Sequence, residues 1–438
     1  MKRNIITLIA AVSVTLSMET AAEGLLEIYQ LSKQNDSGLK AAESIFNAEK
    51  EAVNISRGSL FPEITLSGSL GYAKTQDDSS TDTTTESNSV ELGLNYPIYS
   101  SALGYAVDIV KLDYEGAKAD YSNAEEDLTY ETLEAYFDLL TQESNLKIAN
   151  SQAAAISSQL QKVKKQFEVG QVAITDVHTS QAEYDSNLVD ILNAEANVTN
   201  AQETLRQLTG KLITNIPDLA IDYPITMDNV KAASYYVEIA KHQNKNIKAL
   251  KLDYESASTN INLQKASGRS PTLSLSGSIK VSDSEATPAS NNDGSTTTSN
   301  IALTLSIPLY EGGAINASVR QAVANAEAVR ESLNDKLQDT ELAVRKQYRL
   351  LQSTVAQTSA QKQLITSFSS LLKATEAGYN AGTRNVVDLL DAQSDLFDAQ
   401  GVLEQLRYQF VLQRLSLLEY AGELNEEEVK KLDAWLVL

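Results

Sequence analysis

Asp388, Asp391, Asp395 and Asp398 step by three, four and three residues, so a helix would set all four carboxylates on one face. Such a row can attract cations, or a pair within it can divide general acid and general base. A glycosidase pair needs a substrate cleft and carboxyls about 5–9.5 Å apart, and no aromatic sugar platform lies nearby in the sequence. On an isolated helix the stripe is most simply a solvated face. His178 and His242 stand in separate stretches without carboxylate clusters, and the chain has no cysteine, which argues against a zinc or catalytic centre. Ser-x-x-Lys recurs at Ser37/Lys40, Ser144/Lys147 and Ser370/Lys373, scattered as chance would scatter it. There is no glycine-rich phosphate loop. No catalytic residue, cofactor or metal ligand is therefore assigned, and the chain reads as a non-enzyme.

The composition narrows the partners. With 36 Lys+Arg against 58 Asp+Glu, the formal charge of -22 makes nucleic acid or an anionic membrane surface a poor match. Residues 1–22 open with Lys2 and Arg3, run apolar from Ile5 to Leu16 and end Thr20-Ala21-Ala22, the pattern of a cleaved export signal. The absence of cysteine removes disulfides and a lipidated N-terminal cysteine. Beyond the signal no run approaches the roughly 18 apolar residues of a spanning helix, which leaves a β-barrel as the possible membrane element.

The chain is written twice. Phe61-Pro62-Glu63-Ile64-Thr65-Leu66-Ser67-Gly68-Ser69 is echoed by Ser270-Pro271-Thr272-Leu273-Ser274-Leu275-Ser276-Gly277-Ser278. Tyr96-Pro97-Ile98-Tyr99 returns as Ile307-Pro308-Leu309-Tyr310, and Phe167-Glu168-Val169-Gly170 as Tyr379-Asn380-Ala381-Gly382. The prolines leave 98–216 and 309–438 free of this helix breaker. Leu146, Ala149, Ala153, Ile156, Leu160, Val163 and Phe167 trace a coiled-coil seam. Every seventh residue is apolar in Val177, Tyr184, Ile191, Val198 and Leu205, and again in Leu389, Leu396, Leu403, Phe410 and Leu417. An unbroken helix from near 101 to near 168 would reach about 100 Å, the length of a rod or tube.

Four segments alternate apolar and polar: Ile64, Leu66, Leu70, Tyr72; Val90, Leu92, Leu94, Tyr96, Ile98; Leu273, Leu275, Ile279, Val281; and Ile301, Leu303, Leu305, Ile307, Leu309. Polar stretches from Lys74 to Ser89 and Ser282 to Asn300 read as exposed loops. Two isolated hairpins would suggest a soluble sandwich, but the long helices favour a membrane sheet. Such a sheet must close, since unpaired backbone groups in hydrocarbon cost several kcal/mol each. Four strands cannot close alone. Three copies make twelve strands and two make eight, with Thr65, Ser67, Ser274, Ser276, Thr304 and Ser306 facing a wet interior.

Val172-Ala173-Ile174-Thr175-Asp176-Val177, Ile307-Pro308-Leu309-Tyr310-Glu311-Gly312-Gly313 and Ala377-Gly378-Tyr379-Asn380-Ala381-Gly382-Thr383-Arg384 resemble the TolC family of outer-membrane efflux proteins, over essentially the whole mature chain. The resemblance implies a mainly α fold with a β membrane part: a trimeric 12-stranded β-barrel, four strands per protomer, continued by a long periplasmic α-helical barrel with coiled-coil hairpins. It divides the chain into a signal at 1–22, a first repeat at 23–209 with strands at about 62–73 and 90–99, an equatorial linker at 210–230, a second repeat at 231–422 with strands at about 271–281 and 300–310, and a C-terminal equatorial segment at 423–438.

The implied function is an exit duct in the outer membrane for tripartite efflux or type I secretion. Its implied partners are outer-membrane lipid, two further copies in a homotrimer, a periplasmic adaptor, and an inner-membrane pump of the resistance-nodulation-division or ABC class. By the same resemblance Asp388 and Asp391 ring the periplasmic aperture as a cation-binding gate. Asp395 and Asp398 match no family motif. Gln159, Thr175, Asp176, Glu376, Tyr379 and Arg384 would supply the links that hold the gate shut, with Arg384 to Asp176 or Thr175 foremost. Gly170, Gln171, Gly382 and Thr383 would form the tips that receive the adaptor, Gln171 standing where relatives commonly have leucine. The alternative from another class is a non-conducting structural or adhesive trimeric coiled-coil surface protein, for which paired hairpins with polar inner faces would have no use.

Overall fold

A computed structural model describes residues 23–76, 82–289 and 293–437. The export signal read at 1–22 lies outside the described residues. In chain order the first half runs α1 (Leu25–Asn35), α2 (Ser37–Gly58), β1 (Glu63–Thr75), β2 (Thr83–Ser100), α3 (Ser101–Glu168) and α4 (Ile174–Thr209). After β3 (Asp218–Leu219) the plan repeats as α5 (Ala233–Gln243), α6 (Lys245–Arg269), β4 (Thr272–Thr287), β5 (Gly294–Ser306), α7 (Ala314–Asn380) and α8 (Val386–Ala421). The chain closes with α9 (Glu426–Asp433) and β6 (Leu436–Val437).

The proline-free territories are helical as their composition dictates. α3 has 68 residues and α7 has 67, each about 100 Å at 1.5 Å per residue. Ser100 caps α3, its side chain accepting from the Leu103 amide at 3.3 Å, and Asn244 caps α6 by accepting from Ile247 at 3.1 Å. The shorter helices fold back along the long ones as hairpins. In α8, Leu389, Phe410 and Leu417 of the seven-residue row are buried, joined by a second row three positions on, Ala392, Ala399, Leu406 and Gln413. α4 carries the corresponding second row in Ser180, Asn187, Ala194, Ala201 and Leu208. Most of these side chains are small, so the helix axes can approach closely.

The four long strands form one antiparallel sheet in the order β1-β2-β4-β5, so β2 and β4 join the two halves and β1 and β5 are its edges. The register sets Leu66 opposite Leu92, Leu92 opposite Ile279, and Leu275 opposite Leu303, which collects the apolar alternation on one face. Thr65, Ser67, Ser274, Ser276 and Thr304 lie on the other. The apolar face has no protein against it: Leu66 is 74% exposed, Leu70 90% and Ile301 78%.

Four strand limits differ from the sequence reading. β2, β4 and β5 continue through much of the stretches read as loops, because Thr83–Thr85 and Thr296–Thr298 suit a strand but carry no apolar alternation to mark it. At about 3.3 Å per residue the 13 residues of β1 extend roughly 43 Å, and the lengths added to the other strands are polar. β5, read to 310, stops at Ser306, and residues 307–313 form an irregular connector containing Pro308 and two glycines of positive φ, Gly312 and Gly313. The equivalent Pro97 keeps its strand only through a register shift between Pro97 and Tyr99, since proline cannot donate to the ladder.

The main core sits partway along the helices, where the middle of α3 (Leu133, Tyr136, Phe137, Leu139) meets the C-terminal half of α8 (Tyr408, Phe410, Val411, Leu417) and the linker residues Ile213 and Leu219. β3 pairs with β6, bringing the linker and the C-terminal segment together. Buried polar groups fasten this belt. Tyr136 donates to the Pro217 carbonyl at 2.5 Å, Tyr408 to Asp218 at 2.7 Å, and Arg407 to the carbonyls of Leu219 and Ala220, both at 2.8 Å.

Above the belt, Glu126 of α3 is 6% exposed and accepts from the Leu424 amide at 3.1 Å. Burial pushes its carboxyl up to about 7, Asp127 adds to this, and Lys245 and the amide hydrogen bond oppose it. Burial, with Asp127, Glu126 and Glu134, pushes Glu419 of α8 up to about 7 as well. Both groups bind protons more tightly folded than unfolded. Their favourable contribution is therefore complete below about pH 4.5 and is lost as pH rises through about 7. Glu126→Gln keeps the acceptor and removes the charge. The thermal midpoint in detergent should drop less between about pH 5 and about pH 8 for the variant than for the parent; equal drops would refute this account of the belt.

Candidate functional site at the hairpin tips

The two hairpins end in the same backbone device. At the first, the Gly170 amide donates to Phe167 at 2.9 Å and the Gln171 amide to Gln166 at 2.8 Å. At the second, the Gly382 amide donates to Tyr379 at 3.0 Å and the Thr383 amide to Gly378 at 2.9 Å. These paired bonds close α3 and α7 with a left-handed residue, Gly170 at φ 77° and Gly382 at φ 76°, a conformation open to glycine at little cost. Gln171 and Thr383 follow, both exposed.

The return helices start differently. α8 opens on a reciprocal capping box in which Asn385 Oδ1 accepts from the Asp388 amide at 2.8 Å and Asp388 Oδ2 accepts from the Asn385 amide at 3.3 Å. α4 opens on Ala173, which has no side-chain cap, and Asp176 is the acid of its first turn. Asp388 is thus both half-exposed and structurally engaged, whereas Asp391, Asp395 and Asp398 are exposed along α8. Partial loss of water around the Asp398 carboxyl, then Asp395 and Asp190, push it up, with the Ser394 hydroxyl opposing.

A small apolar cluster of Ile156, Val163, Tyr379, Val386, Leu389 and Leu390 holds the hairpins together just above the tips. Tyr379, buried, donates its hydroxyl to Gln166 Oε1 at 2.7 Å. Burial and then the nearby Asp176 carboxylate push its phenol up, and Gln159, also buried, lies against the hydroxyl and opposes this. Lys162 donates to Asn380 Oδ1 at 2.7 Å and sits 5.3 Å over the Tyr379 ring.

The structure therefore brings together Tyr379, Gln159 and Asp176 of the residues expected at a lock. Thr175 and Glu376 are exposed. The expected link from Arg384 to Asp176 or Thr175 is not formed within one protomer. Arg384 Nη1 instead lies 3.8 Å from Asp388 Oδ2, four residues along the chain, with Arg384 exposed and Asp388 half-exposed. Sequence reasoning missed Lys162, Gln166 and Asn380, whose meeting depends on how far one coiled coil is displaced along the other. It also missed the second seam, which a search for small residues three positions from each marked apolar residue would have found. Among the described residues no group of acids and histidines could hold a metal, and no helix is long and apolar enough to cross a membrane.

Comparison with known proteins agrees with this architecture. The family model for outer membrane efflux proteins matches residues 28–211 and 236–423, once in each half. The chain is 31% identical to Outer membrane protein TolC of Vibrio cholerae serotype O1, over 100% of this chain and 99% of that one. It is 26% identical to Proteases secretion protein PrtF of Dickeya chrysanthemi, over 94% of this chain and 91% of that one. Among solved structures, CusC, crystallised in a study of its folding and transmembrane channel formation, shares the fold with a TM-score of 0.80 at 18% identity, covering 92% of each chain.

The capping box makes a local prediction. Asn385→Ala should cost roughly 0.5–2 kcal/mol of helix stability, read as faster amide hydrogen exchange in the first turn of α8 with protection in the main core unchanged. Unchanged exchange at 386–390 would show that the cap contributes nothing.

Proposed function

We propose, from the fact that the chain belongs to the outer membrane efflux protein family, that three copies assemble into a closed barrel in the outer membrane and a helical tube below it, and that pumped solutes leave through this duct. The observation that carries the reading is the four-stranded sheet with one bare apolar face and two unpaired edges. Lipid accepts that face, and it accepts the edges only once other copies pair them. Twelve strands is the closure that the family resemblance implies, with Thr65, Ser67 and their counterparts lining the lumen.

The tips are the narrow, gated end. Asp388 and Asp391, three copies of each, ring the aperture and attract cations. The links involve Gln159, Thr175, Asp176, Glu376, Tyr379 and Arg384, with Arg384 free to turn from its exposed contact with Asp388 toward Asp176 or Thr175 of a neighbouring copy. Gly170, Gln171, Gly382 and Thr383 present the tips to a periplasmic adaptor, which couples the duct to an inner-membrane pump of the resistance-nodulation-division or ABC class. Resemblance to both a TolC and a protease secretion protein supports a duct that serves efflux or type I secretion, with the cargo chosen by the pump and adaptor.

Charge-assisted contacts of this sort contribute about 1.5–3 kcal/mol when shielded and less when wet, strong enough to close a tube and weak enough for a partner to open it. Arg384→Ser combined with Tyr379→Phe should raise single-channel conductance in planar bilayers, and an unaltered conductance counts against the lock. Asp388→Asn with Asp391→Asn should instead relieve block by divalent or trivalent cations; retained block would place the cation site elsewhere.

A further inference from the structure

The two hairpins of one protomer touch through few polar groups. The side-chain hydrogen bonds between them include Gln152 to Ser394 at 3.3 Å, Gln405 to Asn145 at 3.4 Å, Tyr379 to Gln166 at 2.7 Å and Lys162 to Asn380 at 2.7 Å, with Gln159 also against Tyr379 and Ser416 against Tyr130. Lys162 alone of these carries a charge. No ion pair joins the hairpins among the described residues.

Lys162 stands where α7 supplies no cation of its own. The last turn of α7 contains no basic residue, although its terminal carbonyls carry the negative end of the helix dipole. α3, by contrast, has Lys165 in its own last turn. Lys162 reaches from α3 to the end of α7, where its ammonium meets Asn380 Oδ1 and the face of the Tyr379 ring. One α-helical turn further along α3, Gln166 takes the Tyr379 hydroxyl. The end of α7 is thus gripped by two α3 residues four positions apart, at adjacent positions of its own chain.

We propose that Lys162 is a positioning residue that clips the tip of the second hairpin to the first, and that it sets how readily the α7/α8 tip swings away. The inference deepens the reading of the tips as the closed end of the duct and depends on that reading only for its effect on flow. Lys162 is half-exposed and Asn380 exposed, so losing the clip should move the closed-to-open balance by roughly three- to tenfold.

The chain has no cysteine, so spin labels on Gln171→Cys and Thr383→Cys report the tip-to-tip distance without background, in detergent and diluted with unlabelled chain. Lys162→Met and Asn380→Ala should each shift the distance distribution toward longer values. The double variant should add little to either, and Lys162→Arg should restore the parent distribution. Conductance should rise with the distance. If Lys162→Met leaves the distance unchanged, the clip is overturned, whatever the conductance does. If the distance lengthens while neither Lys162→Met nor the Arg384→Ser, Tyr379→Phe pair changes conductance, the clip stands and the reading of the tips as the gate falls.

Discussion

Backbone hydrogen bonding in hydrocarbon is the constraint from which the rest follows. A strand that enters lipid must have its amides and carbonyls paired along its whole length, and one chain here brings a sheet that ends in two open edges, β1 and β5. Below the sheet, the helices hang from β2 and β5 as two antiparallel hairpins. The duplication places equivalent helical hairpins under each half, and the pairing of β2 with β4 welds the halves into one unit.

Helices of about 100 Å cannot be stabilised by their ends. Their long seams bury modest side chains, many of them alanine, serine or asparagine, so each turn contributes little. The dense packing is gathered into the belt, where the aromatic side chains of α3 and α8 and the linker residues interlock and where Arg407 and Tyr408 tie down β3. The tip cluster around Tyr379 is far smaller. The helices are therefore held more firmly at the waist than at the tips.

Much of this was legible in the residues. The absence of proline between 98 and 216 announced α3, whose limits of Ser101 and Glu168 fall where the strand pattern stops and Gly170 approaches. The period-two alternation identified which face of the sheet is apolar, because side chains on a pleated strand have no other choice. The strand ends were obscured where threonine and serine occupy both faces, since outside the lipid nothing distinguishes them by hydropathy. At the tips, Gly170 and Gly382 could be read from the turn they require. The meeting of Lys162 with Asn380, 218 residues away in the chain, could not, for it depends on the axial offset between two coiled coils, which no local pattern encodes. Arg384 illustrates the same limit: it lies in the turn just before α8, and its contact is with Asp388 in the first turn of that helix.

The two halves are joined to the sheet in unequal ways. β2 ends at Ser100 and α3 begins at Ser101, with no residue between, so the strand and the helix form a single stiff lever. β5 and α7 are separated by 307–313, with Pro308 inside and the glycines Gly312 and Gly313 at its end. A change in helix direction at the sheet thus has seven connector residues to absorb it above α7 and none above α3.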